Sequence, residues 1–192
     1  MESKPRMKNR IIICTAKFSD NLGDGVISEC VDYLIGRSSS AYPVVHLDIS
    51  GRTEYLDSNK KNSSVFKRIY HLSPKAVRPL LTIAGWLVIF RKRLKLRLAE
   101  IKFRPGDALI FGGGQVVSDI SLNFPLKLSF IYKAATKKGV KVSFNAVGVG
   151  GAFSFLGKKL VQPIFDSNLT TFTSVRDPLS KKHLEDLTNG SI

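Results

Sequence analysis

The sequence predicts an α/β fold: a doubly wound, mostly parallel, Rossmann-like sheet with helices on both faces. Two observations carry that prediction. Short apolar runs of the kind found in buried strands alternate with helix-length segments, an order that favours parallel strands joined by right-handed crossovers. Four of those runs also lead into a turn rich in glycine or aspartate: Asn21-Leu22-Gly23-Asp24-Gly25, Gly112-Gly113-Gly114, Gly148-Val149-Gly150-Gly151 and Arg176-Asp177-Pro178. Open α/β sheets bind ligands at the carboxyl ends of their strands, so these turns mark one functional edge.

In chain order, Ile11-Ile12-Ile13-Cys14 centres a strand over 10–15, followed by a helix over 25–36 and a strand over 43–49. A polar stretch runs from Ser50 to Ser64, and helical patterning resumes at 65–72 and 75–100. Strand 108–111, helix 125–138, strand 141–147, helix 155–166, strand 171–175 and helix 178–187 complete the series. Pro125 and Pro178 fall in first turns, and Gly139 closes the helix before it. Pro163 predicts a kink or an early end for its helix. The last helix should lead to another strand, and only five residues follow Leu187. The expectation is a single Rossmann-like lobe over 1–192 that lacks a C-terminal lobe.

A chain of 192 residues can bury one sizeable core. With 30 basic against 15 acidic residues it carries +15, which favours anionic partners and says nothing about fold. Cys14 and Cys30 form no metal-ligand pattern, and Cys14 reads as a small buried hydrophobe. Without a disulfide framework a cytoplasmic location is expected. His46, His71 and His183 share no spacing, so no metal site is expected, and His183 reads as a helix-surface residue.

Between Lys75 and Arg104 there are nine basic residues and one acid, Glu100. The apolar stretch Leu80–Phe90 spans about 16 Å as a helix, half a bilayer core, which argues against a transmembrane segment. After it, Leu94 and Leu98 share a helical face and Leu96 lies off it. Two readings stand: an interfacial helix resting on anionic lipid with Trp86 at the head groups, or a core helix followed by a solvated basic face. Nucleic acid is disfavoured as a partner, because aromatic residues do not interleave with the cations.

The turns could carry chemistry. Gly23-Asp24-Gly25-Val26-Ile27-Ser28 nearly matches a dinucleotide fingerprint, with Asp48 where a ribose-binding acid would stand, yet Asp24 would oppose a pyrophosphate. Asp24 reads either as an N-cap or as a functional carboxylate. Three glycines at 112–114 exceed what a turn needs and suggest a loop facing a ligand. Asp119 either faces the same cleft or caps the next segment. Gly148 and Gly150 repeat the design, Asp177 with Pro178 suits a helix cap, and Arg176 can clamp phosphate or carboxylate.

Taken together, the ordered set resembles the polysaccharide pyruvyl transferase family: Asn21-Leu22-Gly23-Asp24 before a helix, Gly112-Gly113-Gly114 with Asp119, Gly148-Val149-Gly150, and Ser174-Val175-Arg176-Asp177 followed by Leu179-Ser180. The resemblance implies one lobe of a two-lobed glycosyltransferase-like (GT-B) fold. It also implies transfer of pyruvate from phosphoenolpyruvate, as donor substrate and without a further cofactor, onto a sugar of a cell-surface polysaccharide or its lipid-linked precursor. On it, Asp24 and Asp119 become catalytic candidates, and Asn21, Gly23, Gly112, Gly113, Gly114, Gly148, Gly150, Arg176 and Asp177 substrate-binding ones. Partners would be a glycan acceptor and an anionic membrane, met at its inner face. The competing reading is a non-catalytic lobe that binds acidic glycan or membrane.

Overall fold

The computed structural model describes residues 9–38, 42–55 and 70–190. The part of the predicted polar stretch beyond Tyr55, and helical patterning at 65–69, lie outside them. Five strands form one all-parallel sheet: β1 (Ile11–Thr15), β2 (Val44–Asp48), β3 (Ala108–Gly112), β4 (Lys141–Val147) and β5 (Thr170–Val175), in the order β2-β1-β3-β4-β5. This is the second common doubly wound order, in which right-handed crossovers as a rule place helices on both faces.

Strand β1 lies inside the sheet, between β2 and β3, and its Ile12, Ile13 and Cys14, with nothing polar to keep them near water, are all buried. The Cys14 thiol is pushed up, first by burial and then by the Asp48 charge, so it behaves as a hydrophobe. Phe111 and Phe144 stack at 5.0 Å, with Phe165 at 4.7 Å from Phe144. At the opposite, amino end of the strands, Arg10 clips β1 to the start of β3 through a two-pronged bond to Asp107, Nε to Oδ1 at 3.2 Å and Nη2 to Oδ2 at 2.6 Å.

The helices are α1 (Leu22–Ser38), α2 (Arg78–Gly85), a π segment (Trp86–Phe90), α3 (Arg91–Ile101), α4 (Asn123–Thr136), α5 (Phe155–Phe165) and α6 (Pro178–Thr188). Helix α1 begins three residues before the expected start. Asn21 supplies the reason, since its Oδ1 accepts the Gly23 N–H at 3.1 Å and caps the helix there. Pro163 sits inside α5, which runs two residues past it. So near the C-terminus the lost amide bond is tolerated.

The basic apolar segment decides between the two readings at Trp86. Trp86 is buried and packs edge-on against Phe130 at 5.4 Å, so it belongs to the core and not to a lipid surface. The Arg91 N–H bonds the Trp86 carbonyl, giving the wider π turn. Trp86 and Phe90 thereby pack on the core, while Leu87, Val88 and Ile89 stay 56%, 73% and 49% exposed. Leu94 is buried, Leu98 packs on the core and Leu96 is exposed, as the helical spacing predicts. No helix among the described residues is long and apolar enough to cross a membrane.

Candidate functional site

The sheet order fixes where a crevice must open. From β1 the chain crosses to β2 on one side, and from β3 it crosses to β4 on the other. The loops leaving β1 and β3 therefore diverge, and the gap between their carboxyl ends is the switch point at which doubly wound proteins bind ligands. A cavity of about 170 Å³ lies there, bounded by Thr15 and Ala16 of the β1 end, Asn21, Asp24, Gly112–Gly114 and Phe124 among others.

Asp24 is the carboxylate of this cavity. With Asn21 as cap, Asp24 is the third residue of α1, so it is not the N-cap. One oxygen accepts the Ser19 hydroxyl at 2.6 Å. The other lies opposite the glycine turn, where a Cβ on Gly114 would stand 3.5 Å from it. The helix amino end favours the negative charge. Below, Thr15 and Ser28 share a hydroxyl hydrogen bond of 2.8 Å that ties β1 to α1.

The glycines at 112–114 have separate reasons. A Cβ on Gly112 would press Val31 at 3.3 Å. Gly113 has φ +61° and faces Ile27, whose Cγ2 would be 1.8 Å from a Cβ; no side chain fits. Gly114, at φ +65°, is the one that leaves backbone open to the cavity beside Asp24. Two of the three thus serve the close approach of α1 to the sheet as well as the cavity. Gly23 stands on the exposed side of the α1 cap and does not line the cavity.

The other predicted residues assemble elsewhere on the same edge. Asp119 accepts the Leu122 N–H at 2.7 Å through Oδ1, and the Ser154 N–H at 2.8 Å together with the Ser154 hydroxyl through Oδ2. It ties the entry of α4 to the cap of α5 and does not line the cavity. Gly148 donates to the Gly114 carbonyl at 2.8 Å, and Gly150 to the Val117 carbonyl at 2.8 Å, so the loop after β4 braces the glycine turn after β3. The Arg176 guanidinium covers Gly148, where a Cβ would come within 2.9 Å of Cζ, and its Nε bonds Asp177 at 2.7 Å.

Asp177 caps α6 by accepting the Ser180 N–H at 2.7 Å. That backbone bond, then Arg176, holds its carboxyl below the usual range. His183 departs from the expected surface role: its Nδ1 meets the Val149 carbonyl at 3.0 Å and its ring fills the space beside Gly151. Asp48 is buried and accepts the N–H groups of Phe18, Ser50 and Arg52, so it serves the loops and not a ribose. Among the described residues, no group of three or more His, Cys, Asp or Glu is placed to hold a metal ion.

Sequence reasoning missed Gln115 and Phe124 at the cavity and Ser19 as the partner of Asp24. It also missed a buried lysine, Lys127, which reads in sequence as one cation in an ordinary helix. The family model for polysaccharide pyruvyl transferase matches residues 21–191, from the cap of α1 to beyond the end of α6. No curated protein matches the sequence.

Proposed function

Since the chain belongs to the polysaccharide pyruvyl transferase family, we propose that it serves the transfer of pyruvate from phosphoenolpyruvate to a sugar of a cell-surface polysaccharide or of its lipid-linked precursor. In that reaction C3 of the enolpyruvyl group takes up a proton and two sugar hydroxyls bond to C2. Phosphate departs, and the proton from the second hydroxyl leaves with it. A base that takes a hydroxyl proton is therefore required, as are donors for the phosphate and carboxylate.

The observation that carries this reading is the switch-point cavity with Asp24 opposite Gly114. We assign Asp24 the acceptor hydroxyl, as hydrogen-bond acceptor or base, with Asn21 and the glycine turn shaping the sugar site. Asp119 acts by holding α4 and α5 in position. Arg176, half exposed on the same edge, remains available to a donor anion if it releases Asp177.

The test is phosphate release from phosphoenolpyruvate by the full chain with a panel of bacterial glycans. Release that requires a glycan, with a matching mass gain on that glycan, is the expected result; release with none of them sinks the assignment for this chain. The exposed Leu87-Val88-Ile89 run, followed by exposed Arg91, Lys92 and Lys95, supports the membrane part of the proposal, because apolar area and cations together favour anionic lipid. Co-sedimentation with phosphatidylglycerol vesicles at low salt, weakened by Val88→Asp, is expected; indifference to such vesicles removes that part.

A further inference from the structure

At the carboxyl end of β2, three cations gather around the turn Ser50-Gly51-Arg52. Lys127, buried in α4, donates from Nζ to the Ser50 hydroxyl at 2.9 Å. Arg93 of α3 donates from Nε to the Ser50 carbonyl at 2.8 Å. Arg52 itself bonds the Phe18 carbonyl. The one carboxylate among them is Asp48, and three backbone N–H groups already occupy it. No ion pair to Arg52, Arg93 or Lys127 forms among the described residues.

Such a cluster is costly unless something offsets it, because buried like charges repel and have lost water. The strain registers chemically. Burial first, then Arg52 and Arg93, pull Lys127 down to about 8, while Asp48 opposes them. Arg93 is likewise lowered by burial and by Arg52. Arg52 Nε and Arg93 Nη2 are buried donors with no hydrogen-bond partner among the described residues.

The cluster also has access and position. A surface cavity of about 300 Å³ is lined by Gly51, Arg52, Arg93 and Arg97 together with the carboxylates Glu54 and Glu100. Glu100 is engaged by Arg97 at 2.8 Å. Lys127 Nζ lies 5.7 Å from the centre of the Phe124 ring, and Phe124 is a wall of the Asp24 cavity. The two cavities are thus neighbours on the ligand-binding edge of one sheet.

We propose that Arg52 and Arg93, backed by Lys127 through Ser50, form a second binding site, for a phosphomonoester or diphosphate, beside the Asp24 cavity. Guanidinium forks match phosphoryl oxygens in shape and charge, and an anion offsets the excess of positive charge. The site is separate from the Asp24 cavity, and binding tests it without turnover.

The experiment is calorimetric titration of the full chain with pyrophosphate, inorganic phosphate and phosphoenolpyruvate at fixed ionic strength. Arg52→Gln and Arg93→Gln should each weaken binding about 10-fold or more, while Lys138→Gln, an exposed charge elsewhere, changes it by about twofold or less. Asp24→Asn should not weaken it. Should Arg93→Gln fail to fold, Arg93→Lys keeps the charge, and its loss of the fork still predicts several-fold weaker binding. Near pH 8.5, where phosphoenolpyruvate is fully ionised, its binding should take up protons in wild type and none in Lys127→Met, read by comparing buffers of different ionisation enthalpy.

Dependence of phosphoenolpyruvate on Arg52 and Arg93 identifies the donor as the source of the phosphoryl group. Dependence of pyrophosphate alone points to a diphosphate-linked acceptor. The proposal is overturned if none of the three anions binds, if Lys138→Gln costs as much as the arginine variants, or if none of the arginine variants weakens binding.

Discussion

At the β1/β3 end of the sheet, Asp24 bonds one serine hydroxyl and keeps an oxygen toward a cavity. In the loops after β3, β4 and β5, Asp119 and Asp177 are consumed by backbone amides, and Arg176 is held by Asp177. The materials are the same on both sides, glycine turns with nearby carboxylates. What differs is whether the chain's own N–H groups reach the acids. At β4 and β5 successive loops run in step and brace one another. At β1 and β3 they part, and nothing local fills the space between them.

The contrast can be broken most directly at Asp24. Asp24→Asn should lower glycan-dependent phosphate release by about 100-fold or more while moving stability little, as expected for an acid–base group and not a structural one. Parallel activity and urea titrations check it, and a large stability loss with ordinary activity would reverse the assignment. Gly113→Ala should do the opposite. A left-handed alanine pressed on Ile27 should cost about 3 kcal/mol of stability, measurable as a shift in the urea midpoint, with activity falling only as the fold does.

Asp119→Asn sharpens the comparison from the other side. It keeps the Leu122 bond but turns a donor toward Ser154, so a loss of about 2 kcal/mol is expected with kcat changed far less than by Asp24→Asn. Asp177→Asn should have the smallest effect, and it has a pH signature. Because the folded carboxyl lies below its usual range, its contribution is present above pH about 4 and disappears as pH falls through the folded value. Thermal melts should show wild type and variant converging in acid; a gap that widens there would contradict the capping role.

Much of the framework was legible in the chain. The strand at β1 follows from four consecutive apolar residues at 11–14, and the parallel sheet from the alternation of strand and helix. Asn21, Asp24 and the 112–114 glycines were found because turn chemistry is written in residue type. Trp86 was left between two readings because its neighbours are apolar and then cationic, and periodicity does not reveal a π turn that directs it to Phe130. Asp119 and His183 could not be sorted by spacing alone, since their partners, Ser154 and Val149, come from other loops.

The sequence by itself determined the strands, most of the helices, the Asp177-Pro178 cap and the edge that carries the candidate site, because those depend on hydrophobic period and on the backbone preferences of individual residues. Only the tertiary structure decided which carboxylate faces the cavity and that Arg52, Arg93 and Lys127 share one turn around Ser50. Both depend on contacts between residues far apart in the chain. Strand order and crossover geometry, not local pattern, bring such residues within hydrogen-bond reach.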